Sequence, residues 1–431
     1  MIDELRVLVG DKWMGRVVWD RRRNRLSFAY ESEWRQDPAS FPLSLSMPLT
    51  ASEHGHAVVD SFIWGLLPDN EGILRHWAEQ YKVSPRNAFS LLWHVGEDCA
   101  GSIQFIRPDR LAEWSKQPLP GGIDWLTRGE FDGRINLLIK DHSASRIGTD
   151  TGSFSLAGAQ PKTALYWDPA GKRWGVPFGT IPTTHILKPA LSDFGGFAQN
   201  EHFCLQLANE LELKTARSSV EYINEHPVII VERYDRVRTP DQGVLRIHQE
   251  DMCQALGCPP HQKYQNQGGP SAAQILNLIR QYSTNRDADE SRFIDSLILS
   301  WLTFGTDAHA KNYSFLLGLN GQVRLAPLYD LSSALPYPKQ VDLRRAGMAL
   351  KIGSSYRMRD IGARDWERFS VELKLDPDDL KRKILEMADR IPSAARVTAE
   401  KLAADRIEHP VIAELVELIT MRAKQSRELF A

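Results

Sequence analysis

Cysteine is scarce: Cys99, Cys204, Cys253 and Cys258 are the four in 431 residues, too few for a disulfide framework in a chain of this length. Excess charge is missing too. Fifty-three basic residues against fifty-five acidic ones leave a formal net charge of −2. No global field therefore draws in nucleic acid or an anionic membrane, and any DNA contact must come from a local patch. No segment approaches the ~20 consecutive apolar residues of a membrane helix, and the opening MIDELRVLVG lacks the basic flank and apolar core of an export signal. A cytoplasmic protein with no membrane partner is expected. Cys253 and Cys258, with His248 and His261 nearby, invite a zinc reading. Buried thiols are the simpler one, since zinc sites usually show tighter C-x₂₋₄-C and H-x₃₋₅-H pairs.

What is present is globular in proportion, 42% apolar and 25% charged, enough to bury substantial cores in two or three domains. Leu5 to Val9, Gly15 to Trp19 and Arg25 to Tyr30 read as short strands, followed by helix around Ile73 to Gln80. Asp109 to Gly122, polar and ending in PLPGG, reads as a linker between subdomains. Thr163 to Trp167 and His185 to Lys188 are strand candidates, the latter stopped by Pro189. Phe203, Cys204, Leu207, Ala208 and Leu211 recur at helical spacing and predict a helix from about Phe197 to Leu213. Val228 to Val231 is a continuous β-branched run, expected as a buried strand leading into Glu232, Arg233 and Tyr234. Beyond about residue 246 the pattern turns mostly helical. A buried helix through Phe293, Leu297 and Trp301 ends at Gly305, and the last sixty residues read as amphipathic helices broken at Pro377, Pro392 and Pro410.

The chemistry lies just past that buried helix. Gly305-Thr306-Asp307-Ala308-His309-Ala310-Lys311-Asn312 is followed, eighteen residues after Asn312, by Leu328-Tyr329-Asp330. Between them two apolar runs, Tyr313 to Leu317 and Val323 to Leu328, flank Asn320-Gly321, a strong two-residue hairpin signal. A turn there would set Asn312 opposite Tyr329 and Lys311 opposite Asp330, gathering Asn312 and Asp330 at the open end beside Asp307. Two carboxylates and an amide on a loop suit a hard, oxygen-seeking cation, magnesium above all. Phosphoryl transfer needs an aspartate to take the substrate proton, and an Asn and a second Asp to hold metal bridging the phosphates. The Asp-x₄-Asn spacing of Asp307 and Asn312 matches the catalytic loop of protein kinases, with Asp330 in the place of their metal-binding aspartate. The competing reading is a helix cap and an Asx-turn.

Nucleotide handling is then expected upstream. Ser155-Leu156-Ala157-Gly158-Ala159-Gln160-Pro161-Lys162 is a run of small residues before a strand, allowing backbone N–H groups to approach phosphate oxygens, although ordinary loops look the same. Lys188 at a strand end could reach the phosphates and Glu201 on the next helix could orient it; the alternative is a solvated strand end and a surface carboxylate. Glu232-Arg233-Tyr234 occupies the position of a kinase hinge. Arg21, Arg22, Arg23 and Arg25, and Lys381 to Lys383, are the densest basic clusters and read as solvated turns and helix faces, with operator DNA as the other possibility.

Taken together, FSLAGAQPKTALY, HILKPA, VERYDR, HQEDMCQALG, GTDAHAKNYS and LAPLYDLSSALP resemble the HipA family, the kinase toxins of bacterial HipBA toxin–antitoxin systems. FPLSLSMPL (Phe41 to Leu49), LLPDN (Leu66 to Asn70) and GEDCAGS (Gly96 to Ser102) extend the resemblance across nearly the whole chain. It implies an α+β, two-lobed, protein-kinase-like fold: a mixed α/β half with an added N-terminal subdomain, then a mostly helical half. The expected divisions are 1–110 (N-terminal α/β subdomain), 111–245 (N-lobe-like, with the phosphate loop) and 246–431 (helical, C-lobe-like, with the catalytic loop).

By the matching motifs Asp307 is the catalytic base, and Asn312 and Asp330 are the magnesium ligands. ATP contacts come from Ala157, Gly158, Ala159, Gln160, Pro161, Lys162, Lys188, Glu232, Arg233, Tyr234, His309, Ala310, Lys311, Asn312, Tyr329 and Asp330. Ser155 corresponds to the serine that family members autophosphorylate, which ejects the phosphate loop. The resemblance also implies a HipB-like helix-turn-helix antitoxin dimer as partner and operator DNA reached mainly through it, with nucleoid association by that route. It implies a translation component as substrate, typically an aminoacyl-tRNA synthetase such as glutamyl-tRNA synthetase, and growth arrest as the outcome. A small-molecule phosphotransferase of the same fold, or a non-catalytic DNA-bound co-repressor, remain the alternatives.

Overall fold

The computed structural model describes residues 2–116, 119–145, 150, 154–190, 194–241 and 243–430. By its internal contacts the chain divides into two compact units. One comprises Met1–Pro189, Glu232–His261 and Ser314–Val323, and the other Ala190–Val231, Gln262–Tyr313 and Arg324–Ala431. Among the described residues no helix is long and apolar enough to cross a membrane.

The first unit opens on an antiparallel sheet. Its strands are β1 (Ile2–Val9), β2 (Lys12–Asp20), β3 (Arg25–Tyr30), β4 (Glu53–His54) and β5 (Ile103–Ile106), in the order β4-β3-β2-β1-β5. Leu5, Val7, Met14, Val17 and Phe28 are buried, as the alternation in the sequence predicts. Helices His56–Leu66, Glu71–Tyr81 and Ala88–Val95 follow, the last two capped by the side chains of Asn70 and Asn87. A second antiparallel array places β9 (His185–Pro189), β7 (Thr163–Asp168), β8 (Arg173–Gly179) and β6 (Gly121–Trp125) side by side.

The expected linker, Asp109 to Gly122, carries folded elements among its described residues. Leu111–Trp114 forms a short helix whose Trp114 packs into a cluster with Leu8 and Ile106, and Gly121 already begins β6. Burial of one tryptophan outweighs the breaker composition of the surrounding stretch. Arg21 to Arg23 form a solvated turn, with Arg21 paired to Asp3 and Arg23 within 3.8 Å of Asp20, and Arg25 opens β3. Cys253 is buried, and His248 is committed elsewhere: its Nε2 lies 2.9 Å from the Leu43 carbonyl and its ring stacks on Phe41.

The second unit is mostly helical, with Phe197–Glu210, Ala272–Tyr282, Arg286–Thr303, Ala363–Leu373, Pro377–Ala404 and Pro410–Glu428, plus the hairpin of Ser218–Ile223 with His226–Glu232. Pro377 and Pro410 each start a helix, where the missing N–H costs nothing. Pro392 does not break the chain as expected: it sits inside the 28-residue helix Pro377–Ala404. Ile391, Ala394 and Ala395 around it are buried, so tertiary packing offsets the lost backbone bond.

Candidate functional site

Helix Arg286–Thr303 stops where Phe304 turns left-handed at φ 59°, and the Gly305 N–H returns 2.7 Å to the Ser300 carbonyl. The loop that follows is tied to itself through one residue. The Asp307 carbonyl accepts from the His309 N–H at 2.8 Å and from Asn312 Nδ2 at 2.7 Å. Because the amide nitrogen of Asn312 is spent on the loop, Oδ1 is the end left for a cation. The Asp307 carboxylate accepts from the Tyr264 hydroxyl and lies 3.8 Å from His309 Nε2, while about half its side-chain surface stays open at 52%. Beneath it, His309, Lys311 and Asn312 are buried.

The Asn320-Gly321 turn forms as predicted, with φ 57° and 71° and the Gln322 N–H donating to Leu319 at 3.3 Å. The register beyond it differs. The Gly318 N–H bonds the Gln322 carbonyl at 2.7 Å, a one-residue slip at the turn, and regular strand ends at Leu325. Leu328 has left the hairpin and lies parallel to Thr215, with its N–H on Lys214 and its carbonyl on Ala216. Tyr329 therefore meets Lys311 rather than Asn312, its hydroxyl donating to the Lys311 carbonyl at 2.6 Å.

Asp330 adopts φ 57°, a left-handed conformation that few non-glycine residues hold without a reason in the surrounding structure. It lines one narrow cleft together with Gly305, Asp307, Ala308 and Ser332. Two acidic residues thus line the same cleft, and the amide of Asn312 is anchored on the backbone of one of them. An all-oxygen set of this kind fits a hard divalent cation. Any such ion would supply charge neutralisation for phosphate oxygens.

In the first unit, the small-residue run before β7 is a tethered loop. Ser155 is wholly buried: its N–H donates 2.9 Å to the Asp98 carbonyl and its hydroxyl 2.7 Å to the Leu66 carbonyl. Gly158, at φ 107°, bridges Pro68, and Lys162 Nζ donates 2.6 Å to the Ala157 carbonyl, closing the loop on itself. The positive φ of Gly158 strains any side chain there, and a Cβ would also displace Lys162 Nζ, 2.4 Å from where it would stand. Lys188 is buried at 7% exposure and Glu201, in the other unit, at 1%, which sets aside the reading of both as solvated surface.

Arg233 departs from a simple hinge. Its N–H donates 2.9 Å to the Thr184 carbonyl, closing that donor to a base, and its guanidinium is bound to Asp235, Thr183 and the Cys99 carbonyl. It belongs to a buried ion cluster with Asp98, Asp235, Arg236 and Arg246. Burial alone would raise the Asp98 pKa, but Arg236, Arg233 and Arg246 hold it below the ordinary carboxylate value. Charge pairing between Gly96–Ser102 and Glu232–Arg246 carries no local pattern, so sequence reasoning passed over Asp98, Arg236 and Arg246 although they stand inside or beside the quoted motifs.

Comparison with known proteins then decides the family. The profile of the HipA-like C-terminal domain matches residues 154–395, and that of the HipA N-terminal domain matches residues 5–106. The chain belongs to the HipA family. A Sinorhizobium fredii protein named putative kinase Y4mE is 34% identical over 96% of this chain and 97% of its own. The serine/threonine-protein kinase toxin HipA of Shewanella oneidensis is 29% identical, covering 90% and 88%. The solved complex of Shewanella oneidensis HipA and HipB with operator DNA contains a chain that superposes at a TM-score of 0.81, with 26% identity over 99% of this chain and 98% of that one. The kinase-like HipA fold follows.

Proposed function

We propose that this HipA-family chain is an ATP- and magnesium-dependent serine/threonine kinase acting as the toxin of a HipBA-type module. The observation that carries the reading is the pair of carboxylates, Asp307 and Asp330, lining one cleft while Asn312 is locked onto the backbone of Asp307. Asp307 accepts the proton of the substrate hydroxyl. Asn312 and Asp330 hold magnesium against the phosphates, with His309, Ala310, Lys311 and Tyr329 shaping that loop for the nucleotide. Ala157 to Lys162 and Lys188 serve the phosphates, and Glu232 to Tyr234 the adenine. In the division expected from the sequence, 111–245 carries the phosphate loop and 246–431 the catalytic loop.

Ser155 is the autophosphorylated residue in this reading, a HipB-like antitoxin dimer the partner that brings the toxin to operator DNA, and a translation component, such as an aminoacyl-tRNA synthetase, the substrate. The similarity to the Shewanella oneidensis toxin and to its complex with HipB and operator DNA supports the toxin role and the antitoxin partner. Incubation of the purified chain with magnesium and γ-labelled ATP tests the reading. Label should appear on serine in the parent and be absent from Asp307→Ala. Transfer only to a free sugar or aminocyclitol would favour the small-molecule phosphotransferase instead.

A further inference from the structure

The loop Ser155–Lys162 is held by a segment far away in sequence. Leu66 accepts the Ser155 hydroxyl, Pro68 bridges Gly158, the Asp69 N–H donates 3.2 Å to the Gly158 carbonyl, and Asn70 Nδ2 donates 3.2 Å to the Ala159 carbonyl. All of these residues belong to one compact unit. Peptide planarity converts these anchors into a direction. In a trans peptide the carbonyl of one residue and the N–H of the next point opposite ways. Fixing the carbonyls of Gly158 and Ala159 on Asp69 and Asn70 therefore turns the N–H groups of Ala159 and Gln160 to the opposite face. Neither of those N–H groups donates to an acceptor among the described residues. Two successive, similarly aimed backbone donors form the kind of concavity that binds a phosphate oxygen.

Asn70 has two jobs and divides them between the ends of its amide. Oδ1 accepts from the Gly72 N–H at 2.8 Å and the Ile73 N–H at 3.3 Å, capping helix Glu71–Tyr81. Asp, Ser and Thr would cap as well as Asn, but only Asn carries a strong donor on the same planar group. The cap fixes the orientation of that donor, and the donor holds the loop. We infer that Leu66–Asn70 is a latch that sets the conformation of the Ser155–Lys162 loop, with Asn70 as its positioning residue. The inference rests on the proposed kinase reading only for what the loop binds. The latch itself stands on the three hydrogen bonds above, from Ser155 to Leu66, from Asp69 to Gly158 and from Asn70 to Ala159. Opening it would free the Ser155 hydroxyl and disorient the Ala159 and Gln160 donors in one movement, coupling exposure of the serine to loss of the phosphate cradle.

The test uses Asn70→Asp and Asn70→Ser in the full chain, since both keep a capping oxygen and lose the donor that reaches Ala159. Amide hydrogen exchange of the unliganded proteins is read at residues 155–162 and, as an internal reference, at 73–80. Loss of one hydrogen bond should speed exchange in the loop about three- to tenfold while the helix stays within twofold of the parent. The KM for ATP should rise by a similar factor with kcat nearly unchanged. Parent-like loop exchange in both variants overturns the latch, as does equal acceleration in helix and loop, which would mean the cap alone matters. Faster loop exchange in a protein whose parent binds no ATP would keep the latch and remove the kinase reading.

Discussion

Ser155 gives its hydroxyl hydrogen to the Leu66 carbonyl at 2.7 Å from a position with no exposed surface, while its N–H is held by Asp98. A phosphate at that oxygen has no room where the hydroxyl now sits, and about two negative charges there would have to be desolvated. Modification and the present loop conformation exclude one another. Phosphopeptide mapping after exposure to magnesium-ATP should find Ser155 as the major site and its loss in Ser155→Ala. The phosphorylated chain should also be cut faster than the parent by a protease within residues 154–162, because the tethers to Leu66 and Asp98 cannot survive. Unchanged cleavage in a stoichiometrically phosphorylated protein would contradict the buried geometry.

Asp330 pairs a left-handed backbone with a place on the cleft wall, and the two properties separate by substitution. Asn tolerates φ near +57° about as well as Asp, whereas a residue such as Val would be strained there by about 1–2 kcal/mol. Asp330→Asn should therefore leave the melting temperature within a degree or two of the parent and still reduce phosphoryl transfer by at least a hundredfold. Raising magnesium should recover part of the lost rate if the defect is in holding the ion. A melting temperature lowered by several degrees in Asp330→Asn would mean the carboxylate supports the fold instead.

Gly158 combines a positive φ of 107° with the closest approach in the loop, Lys162 Nζ, 2.4 Å from where its Cβ would stand. Gly158→Ala must either push Lys162 off the Ala157 carbonyl or move the loop. The body around it has no reason to respond, so the expected result is a ten- to hundredfold weaker ATP titration with a stability loss of about 1 kcal/mol. Wild-type ATP affinity in that variant would show that the loop does not contact the phosphates.

Periodicity and turn chemistry made much of this legible. The three opening strands, the Phe197 helix and the Asn320-Gly321 turn follow from alternation, helical spacing and a turn that needs two positive φ values. Asp307 and Asp330 stood out as polar residues flanking apolar runs, and they do line one cleft. What the pattern could not carry was register. The chain slips by one residue at Gly318 and leaves the hairpin after Leu325, so Tyr329 reaches the Lys311 carbonyl through its hydroxyl instead of pairing with Asn312, and no local rule encodes a bulge. Long-range polar pairing was equally silent: Asp98 meets Arg236 across 138 positions, and Asn70 meets Ala159 across 89. Pro392 misled because helix propensity loses to burial when both neighbouring turns face a core.

Two buried carboxylates give stability opposite dependences on pH. Asp98 sits below its ordinary pKa of 3.8 because the three arginines outweigh burial, so its contribution is complete above that value and lost as pH falls through the lower folded value. Replacing it by Ala strands Arg233, Arg236 and Arg246, a loss of about 3–5 kcal/mol. Glu250 runs the other way. Burial raises it from 4.5 to about 8, against the lowering effect of the Ser44 hydroxyl and the Leu45 N–H. Its folded state holds the proton more tightly than the unfolded chain, so the stability it contributes is whole below 4.5 and lost as pH rises through about 8. His185, His202 and His248, each lowered by burial to about 4, push the opposite way between 4 and 6.5 and are silent above. The window that separates Glu250 from these histidines is therefore pH 6.5 to about 8, and the comparison with Glu250→Gln subtracts every other group that titrates there. Denaturant unfolding across it should show the parent losing stability with rising pH and Glu250→Gln losing markedly less. Parallel curves for the two proteins would mean that Glu250 is already ionised in the fold.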